Sequence, residues 1–557
     1  MKKRVLSAAF SGMLALALAL AGCSGGQQAA QTSDNQGGQQ QPEQTQPQQP
    51  TDTGKKGEKV LIYGRGGDTV NLDPATIDDG ESSRVTENIM ETLVVYADGT
   101  MEVVPGLAEK WDIDPSGLKY TFHLRKGVKF HDGTDFNAEA VKFNFDRWMD
   151  KSNPLHSPEG FAYYNDMFGG YKGDPDHVIK EVKVVDEYTV EFDLNRSQAP
   201  FLANLGMFPF AIASPKALQE QKDKFGEHPV GTGPFKFVEW QRNDHITIEK
   251  NPDYWNKDLP KLDKVVFKAI PDNSARLTAL QSGEIDVMDG LNPEDAETVK
   301  ANSDLQLLTR PPMNIGFLSF NVEKKPFDDK RVRQAIAYAV NKPALVEAFY
   351  SGLAIPAVNI MPPILLGYND QIKDREFNLE KAKQLLSEAG YPNGFKAKFW
   401  AMPVPRPYIP NGQKMAEAMQ QDFKKIGIET EIVTMDWATY LDKTKKGEQE
   451  MYLLGWNGDN GDPDNFIYVL LDKNNIGGAN RTRYANEEVH QLLLKAQTEV
   501  DSAKRSELYK KVQEILFDEV PVVPIAHAEP GIAAKASIKN YIPHPKGTEY
   551  LKKVDME

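Results

Sequence analysis

At 557 residues the chain is longer than one hydrophobic core usually serves, so two or three folded lobes are expected. Hydrophobic residues at 40%, charged residues at 26% and a mean hydropathy of -0.52 exclude both a disordered chain and a membrane bundle. A net charge of -15 argues against nucleic acid as a partner, because binding phosphates needs a basic face.

In chain order, the first feature is Lys2, Lys3 and Arg4, an apolar stretch from Val5 to Leu20, then Leu20-Ala21-Gly22-Cys23. This is the three-part layout of a secretory signal, and its apolar run is shorter than the ~20 residues a spanning helix needs. Leu-Ala-Gly-Cys resembles a bacterial lipobox, which implies that residues 1–22 are removed and that Cys23 receives a diacylglycerol and becomes the new N-terminus. Cys23 is the single cysteine, so disulfides and zinc clusters are excluded. From residue 23 to residue 57 the composition is nearly all Gln, Gly, Ser, Pro, Thr and Lys, which cannot bury enough apolar surface to offset chain entropy. It reads as a tether spanning roughly 30 Å as a flexible coil.

The folded body opens with the short apolar run Lys59–Tyr63, which predicts a strand leading into a loop at Gly64, Gly66 and Gly67. Lys119 to Leu124 alternates as a half-buried strand, and Asn137 to Trp148 has helical spacing. Tyr163, Tyr164 and Phe168 read as packing or lobe surface. Arg331 to Tyr350 predicts two amphipathic helices broken near Pro343. A helix over Met415 to Ile426 followed by a strand at Glu429 to Val433 suggests parallel sheet units. The class is therefore α/β.

Catalytic patterns are missing. Gly64-Arg65-Gly66 and Gly231-Thr232-Gly233 lack the third glycine of a dinucleotide loop, and there is no Walker A and no Gly-x-Ser-x-Gly elbow. The nine histidines contain no HExxH and no close pair. In the acidic stretch Asp459 to Asp464, an EF-hand reading fails at Phe466 and Ile467. Neither an enzyme, a metal site nor a cofactor is expected.

Two segments stand out chemically. In Phe399 to Tyr408, prolines on both sides stiffen a loop and hold one arginine and one tyrosine out from it. In Met451 to Pro463, an apolar strand runs into a turn rich in glycine and aspartate, which puts a carboxylate at the mouth of a sheet where α/β folds commonly bind ligands. Read in isolation, Arg406 could be a solvated loop residue, Asp459 a turn former, and Trp400 and Trp456 core.

These segments resemble those of the dipeptide-binding members of the peptide/nickel class (family 5) of solute-binding proteins that feed ABC importers. Further matching stretches are Val104 to Trp111, Tyr120 to Asp132, Gly231 to Phe235, Ser319 to Val322 and Arg331 to Ala335. The resemblance implies a two-lobed clamp like the periplasmic binding proteins of class II, with an extra domain and mixed sheets flanked by helices. Residues 58–98, 212–309 and 527–557 would form a discontinuous domain I, residues 99–211 domain II, and residues 310–526 domain III.

By the same resemblance Arg406 would take a peptide carboxylate and Asp459 the ammonium, with Tyr408 assisting. The backbone of Gly455, Trp456 and Asn457 would pair with the peptide as an added strand. The facing loop, with Gly80 and Ser82, matches only loosely. Implied partners are a short peptide and, through the closed clamp, the permease subunits and ATPases of an importer. The chain is expected to be a monomer, lipid-anchored on the outer face of the cytoplasmic membrane of a cell without an outer membrane. Longer peptides, glutathione, haem or a nickel chelate remain alternative ligands, and a surface peptide sensor an alternative role.

Overall fold

Alternation at Lys119–Leu124 makes a strand with one face in a core, where Tyr120, Phe122 and Leu124 are buried. The computed structural model describes residues 57–557. The signal segment 1–22, Cys23 and the tether as far as residue 56 lie outside the described residues. The strand belongs to a four-stranded antiparallel sheet in the order Ala108–Ile113, Lys119–Leu124, Thr189–Leu194, Ile179–Asp186. Helix Ala138–Met149 packs on it, started by the Asn137 side chain accepting the Ala140 N–H at 3.1 Å.

A seven-stranded sheet gathers distant stretches of chain in the order 305–309, 531–535, 287–288, 60–65, 264–269, 245–250, 235–241. The first strand of the body, Val60–Arg65, lies near its centre, parallel to both neighbours. A six-stranded sheet has the order 354–356, 522–528, 314–320, 451–457, 395–400, 428–433. Helix Gly412–Lys425 links the parallel strands Phe395–Trp400 and Ile428–Val433, so the expected parallel unit is present, with boundaries shifted by a few residues. Strand Phe395–Trp400 also pairs in parallel with Met451–Asn457, and the remaining pairs of the sheet are antiparallel, with the fully buried Asn314–Phe320 at its centre. The helix pair also forms, as Lys330–Tyr338 and Lys342–Tyr350, and its break precedes Pro343 because proline is tolerated in a first turn.

Packing separates two lobes. The core of the six-stranded sheet runs from Met313 to Ala528, and the cores of the other two large sheets share the half-buried Val230. Leu353 and Met101 reach across between the two groups. The chain passes from one lobe to the other at residues 309–314 and 528–531, where strands that pair within each sheet run side by side. Asn314 pins this crossing, its amide donating to Ala528 O at 2.9 Å and its carbonyl accepting the Ala528 N–H at 2.8 Å. Beside it Arg310 is buried, paired with Asp289 at 3.2 Å and with Glu549. No helix among the described residues is long and apolar enough to cross a membrane.

Candidate functional site

Strands Phe395–Trp400 and Met451–Asn457 are parallel neighbours, so the loops that follow them leave the six-stranded sheet at the same edge. Their pairing stops at Trp400 and Tyr452. There Tyr440 intervenes, its hydroxyl donating to Leu453 O at 2.6 Å and lying 3.3 Å from Trp400 O. Beyond this point residues 454–457 keep one ladder partner, Asn314–Phe320, and among the described residues no strand pairs with their other edge.

The first loop closes on itself, with Arg406 and Ile409 exchanging two backbone hydrogen bonds of 3.0 Å across Pro407 and Tyr408. Arg406 is exposed, as its place between prolines suggests. Its guanidinium donates to Pro405 O at 3.2 Å and lies 6.0 Å from the Trp437 ring, and among the described residues no carboxylate pairs with it. Tyr408 departs from the expectation that the prolines hold it outward: it is buried at 7% exposure. Its carbonyl accepts the Tyr350 hydroxyl at 2.7 Å. Its ring lies on Gly455, where a Cβ would come within 2.2 Å of Tyr408 Cδ2 and 2.5 Å of Ile315 O. Gly455 is thus the seat of the tyrosine on the face of the sheet, followed by the half-buried Trp456 and the exposed Asn457.

The second loop carries Asp459. Asn465, in the first turn of helix Asp464–Leu471, holds it from two sides: Nδ2 donates to Asp459 Oδ2 at 3.1 Å, and Oδ1 accepts the Asp459 N–H at 2.9 Å. The same Oδ1 takes the Trp456 indole N–H at 3.2 Å. The loop is anchored by Asp462, whose carboxylate receives two bonds from buried Arg505 at 2.5 and 2.7 Å. Across the interface Tyr163 donates its hydroxyl to Asp459 Oδ1 at 3.4 Å. Asn460 donates to Asn204 Oδ1 at 2.8 Å, and Met101 sits where a side chain at Gly461 would be, 2.5 Å from its Cβ position.

Burial pushes the Asp459 carboxyl above the usual carboxylate range, Asp166 adds to this, and the Asn465 and Tyr163 hydrogen bonds oppose it. No lysine or arginine among the described residues pairs with Asp459. Arg406 and Asp459 therefore stand at one edge of the sheet, and among the described residues neither forms an ion pair.

On the facing lobe, Gly80 begins helix Gly80–Ile89 with open space around it, whereas Ser82 is fully buried and its Oγ accepts the Val70 N–H at 2.9 Å. Asp78, two residues earlier, is exposed and acts with Asp459 to push the Tyr163 phenol upward, after burial as the main cause. The sequence reading missed Tyr163 and Asn465. An aromatic run and a helix-start asparagine have bland uses everywhere, and only the docking of the lobes gives them a carboxylate to hold. Among the described residues no group of His, Cys, Asp or Glu is placed to bind a metal.

The chain matches the family described as bacterial extracellular solute-binding proteins, family 5, over residues 102–478. It is 40% identical over 513 residues to the dipeptide-binding protein of Escherichia coli K12, covering 90% of this chain and 95% of that protein. It is 38% identical over 509 residues to heme-binding protein A of Haemophilus influenzae, covering 89% and 92%. The solved structure of DppA from Helicobacter pylori, an ABC transporter-associated periplasmic binding protein in complex with the peptide STSA, matches with a TM-score of 0.73 at 39% identity. That match covers 89% of this chain and 98% of that one.

Proposed function

This chain belongs to family 5 of the bacterial extracellular solute-binding proteins, and from that premise we propose that it captures dipeptides or other short peptides by their charged ends and delivers them to an ABC permease. The protein is a binding protein and not an enzyme, as are the relatives it matches. Asp459 takes the peptide ammonium and Arg406 the carboxylate, with the free edge at Trp456 and Asn457 offering backbone to the ligand. Tyr408 acts by positioning this loop against Gly455. The loop with Asp78, Gly80 and Ser82 faces the ligand from the other lobe.

The observation that carries this reading is the half-buried carboxylate of Asp459, without a cation among the described residues and held by two side chains. A desolvated carboxylate without a cation is costly, and an ammonium from outside relieves it. Arg406, planar and unpaired, offers the parallel donors a carboxylate needs. Holding both ends sets the backbone length of the ligand and leaves its side chains free to vary.

Mass spectrometry of ligand released from purified protein tests the proposal. A mixture of free-amine dipeptides supports it, whereas haem, a nickel chelate or glutathione as the released species overturns it. We further propose that the three sheets mark domains I to III as divided above. The molecule is anchored through lipid on Cys23 to the outer face of the membrane, as a monomer, and its closed form docks on the permease. Ligand favours closure by its differential affinity for that state.

A further inference from the structure

The last four carbonyls of an α-helix have no partner inside the helix, and each needs a donor from elsewhere. At the end of helix Glu487–Thr498 these belong to Lys495, Ala496, Gln497 and Thr498. The first two are satisfied within their own lobe: Lys495 O accepts the Glu499 N–H at 3.0 Å, and Ala496 O accepts from Arg505 Nε at 2.8 Å. The other two are satisfied by the facing lobe. Gln497 O accepts the Ala199 N–H at 2.7 Å, and Thr498 O accepts from the Ser197 hydroxyl at 3.2 Å.

The surfaces meet closely here. At Gly117, in the turn before strand Lys119–Leu124, a Cβ would stand 2.5 Å from Ser197 Oγ and 2.8 Å from Cγ1 of Val500 in the other lobe.

Both sides of this contact are tied to the candidate site. Gln198, between the two donors, gives its amide N–H to Met167 O at 2.7 Å, and Met167 lies on the helix Ala162–Phe168 that carries Tyr163. On the other side Gln497 Nε2 donates to Asp464 Oδ2 at 2.9 Å, and Arg505 grips both the helix end and Asp462. Seating residues 197–199 on the helix end therefore brings together the two bodies that carry Tyr163 and Asp459.

We propose that Ser197 and Ala199, docked on the C-terminal end of helix Glu487–Thr498, form a clasp that holds the lobes shut without a ligand and sets the closed share of the empty protein. Neither of its hydrogen bonds involves Arg406 or Asp459. A bond made only in the closed form favours that form whether or not the cleft is filled, and it strengthens ligand binding by raising the fraction able to hold ligand.

The test is the distance between spin labels on Lys180→Cys of one lobe and Lys504→Cys of the other, both exposed positions, in the ligand-free full chain on a Cys23→Ser background. The wild-type sequence at the clasp should show a closed population. Ser197→Ala, which loses one bond, should lower the closed-to-open ratio by about two- to tenfold. Ser197→Asp should lower it further, because a carboxylate is repelled by the negative end of the helix. Ala199→Pro, which removes the other donor, should act in the same direction and gives a second reading should a position-197 variant not fold. An empty protein that is wholly open, or a closed share that Ser197→Asp leaves unchanged, overturns the proposal. No peptide is added, so the outcome is independent of which ligand the cleft takes.

Discussion

Tyr163, on helix Ala162–Phe168 of one lobe, donates its hydroxyl to Asp459 of the other at 3.4 Å. The carboxylate at the mouth of the six-stranded sheet is thereby held from both sides of the interface, by Tyr163 and by Asn465, while no cation among the described residues pairs with it. Its environment is arranged for an incoming ammonium, and several outcomes follow from that.

Replacing Asp459 by Asn keeps the shape and removes the charge. It is expected to weaken a free-amine dipeptide by about 2 to 5 kcal/mol in calorimetry. The wild-type affinity should also depend on pH in a defined sense. The ligand ammonium stays protonated on the acid side of neutrality, so affinity falls only as Asp459 gains a proton. Because burial raises its pKa, that loss begins above the range of an ordinary carboxylate. A pH profile that stays flat until about pH 4 removes Asp459 from the site.

Asn465→Ala removes both clamps on Asp459 and the partner of the Trp456 indole. Affinity should drop by about 1.5 to 3 kcal/mol, the range for a hydrogen bond to a charged group. The acid-side midpoint of the binding profile should also move upward, since a bond that favours the ionised form is lost. Tyr163→Phe should shift that midpoint in the same direction by less. A lowered affinity with an unmoved midpoint would mean that Asn465 acts only on the fold.

Gly455→Ala places a methyl group against the Tyr408 ring and Ile315 O at distances that no relaxed structure tolerates. Urea unfolding should show a loss of about 1 to 3 kcal/mol, the usual cost of overpacking. Peptide affinity should fall with it, because the loop that carries Arg406 is seated on this contact. Wild-type stability in the variant would show that Tyr408 does not rest there.

Arg310→Met leaves the buried Glu549 and the half-buried Asp289 without their shared cation at the crossing between lobes, although Asp289 keeps Arg84. A loss of about 3 to 5 kcal/mol is expected in chemical denaturation. Burial by itself would raise the Asp289 carboxyl, yet Arg310 and Arg84 hold it down to about 2. This pairing therefore stabilises the wild type above the unfolded value of about 3.9, and its contribution is lost as pH falls toward 2. The variant should lose less stability than the wild type on acidification through that window.

Cys23→Ser tests the anchor. The protein should appear in the medium or persist as an uncleaved precursor, and incorporation of labelled fatty acid should cease. Continued labelling of the variant would sink the lipid attachment.

Much of this was readable from local pattern. Alternation at Lys119–Leu124 and helical spacing after Asn137 gave elements within a residue or two of those observed, because side-chain period and capping act over a few neighbouring residues. The unlike placement of Arg406 and Tyr408 was not legible. Prolines on both sides stiffen the backbone equally at the two positions, and what separates them is the bare strand at Gly455, which accepts one ring and leaves the guanidinium outside.

By itself the sequence determined the α/β class, the resemblance to solute-binding proteins, and the residues able to carry opposite charges. Tertiary structure decided which of those charges lack partners. Parallel pairing of two strands brings Arg406 and Asp459 out at one edge, and docking of the lobes brings Tyr163, 296 positions away in the chain, onto the carboxylate. Burial and the pairing of charges depend on which distant segments share a boundary, and short-range pattern carries no record of that.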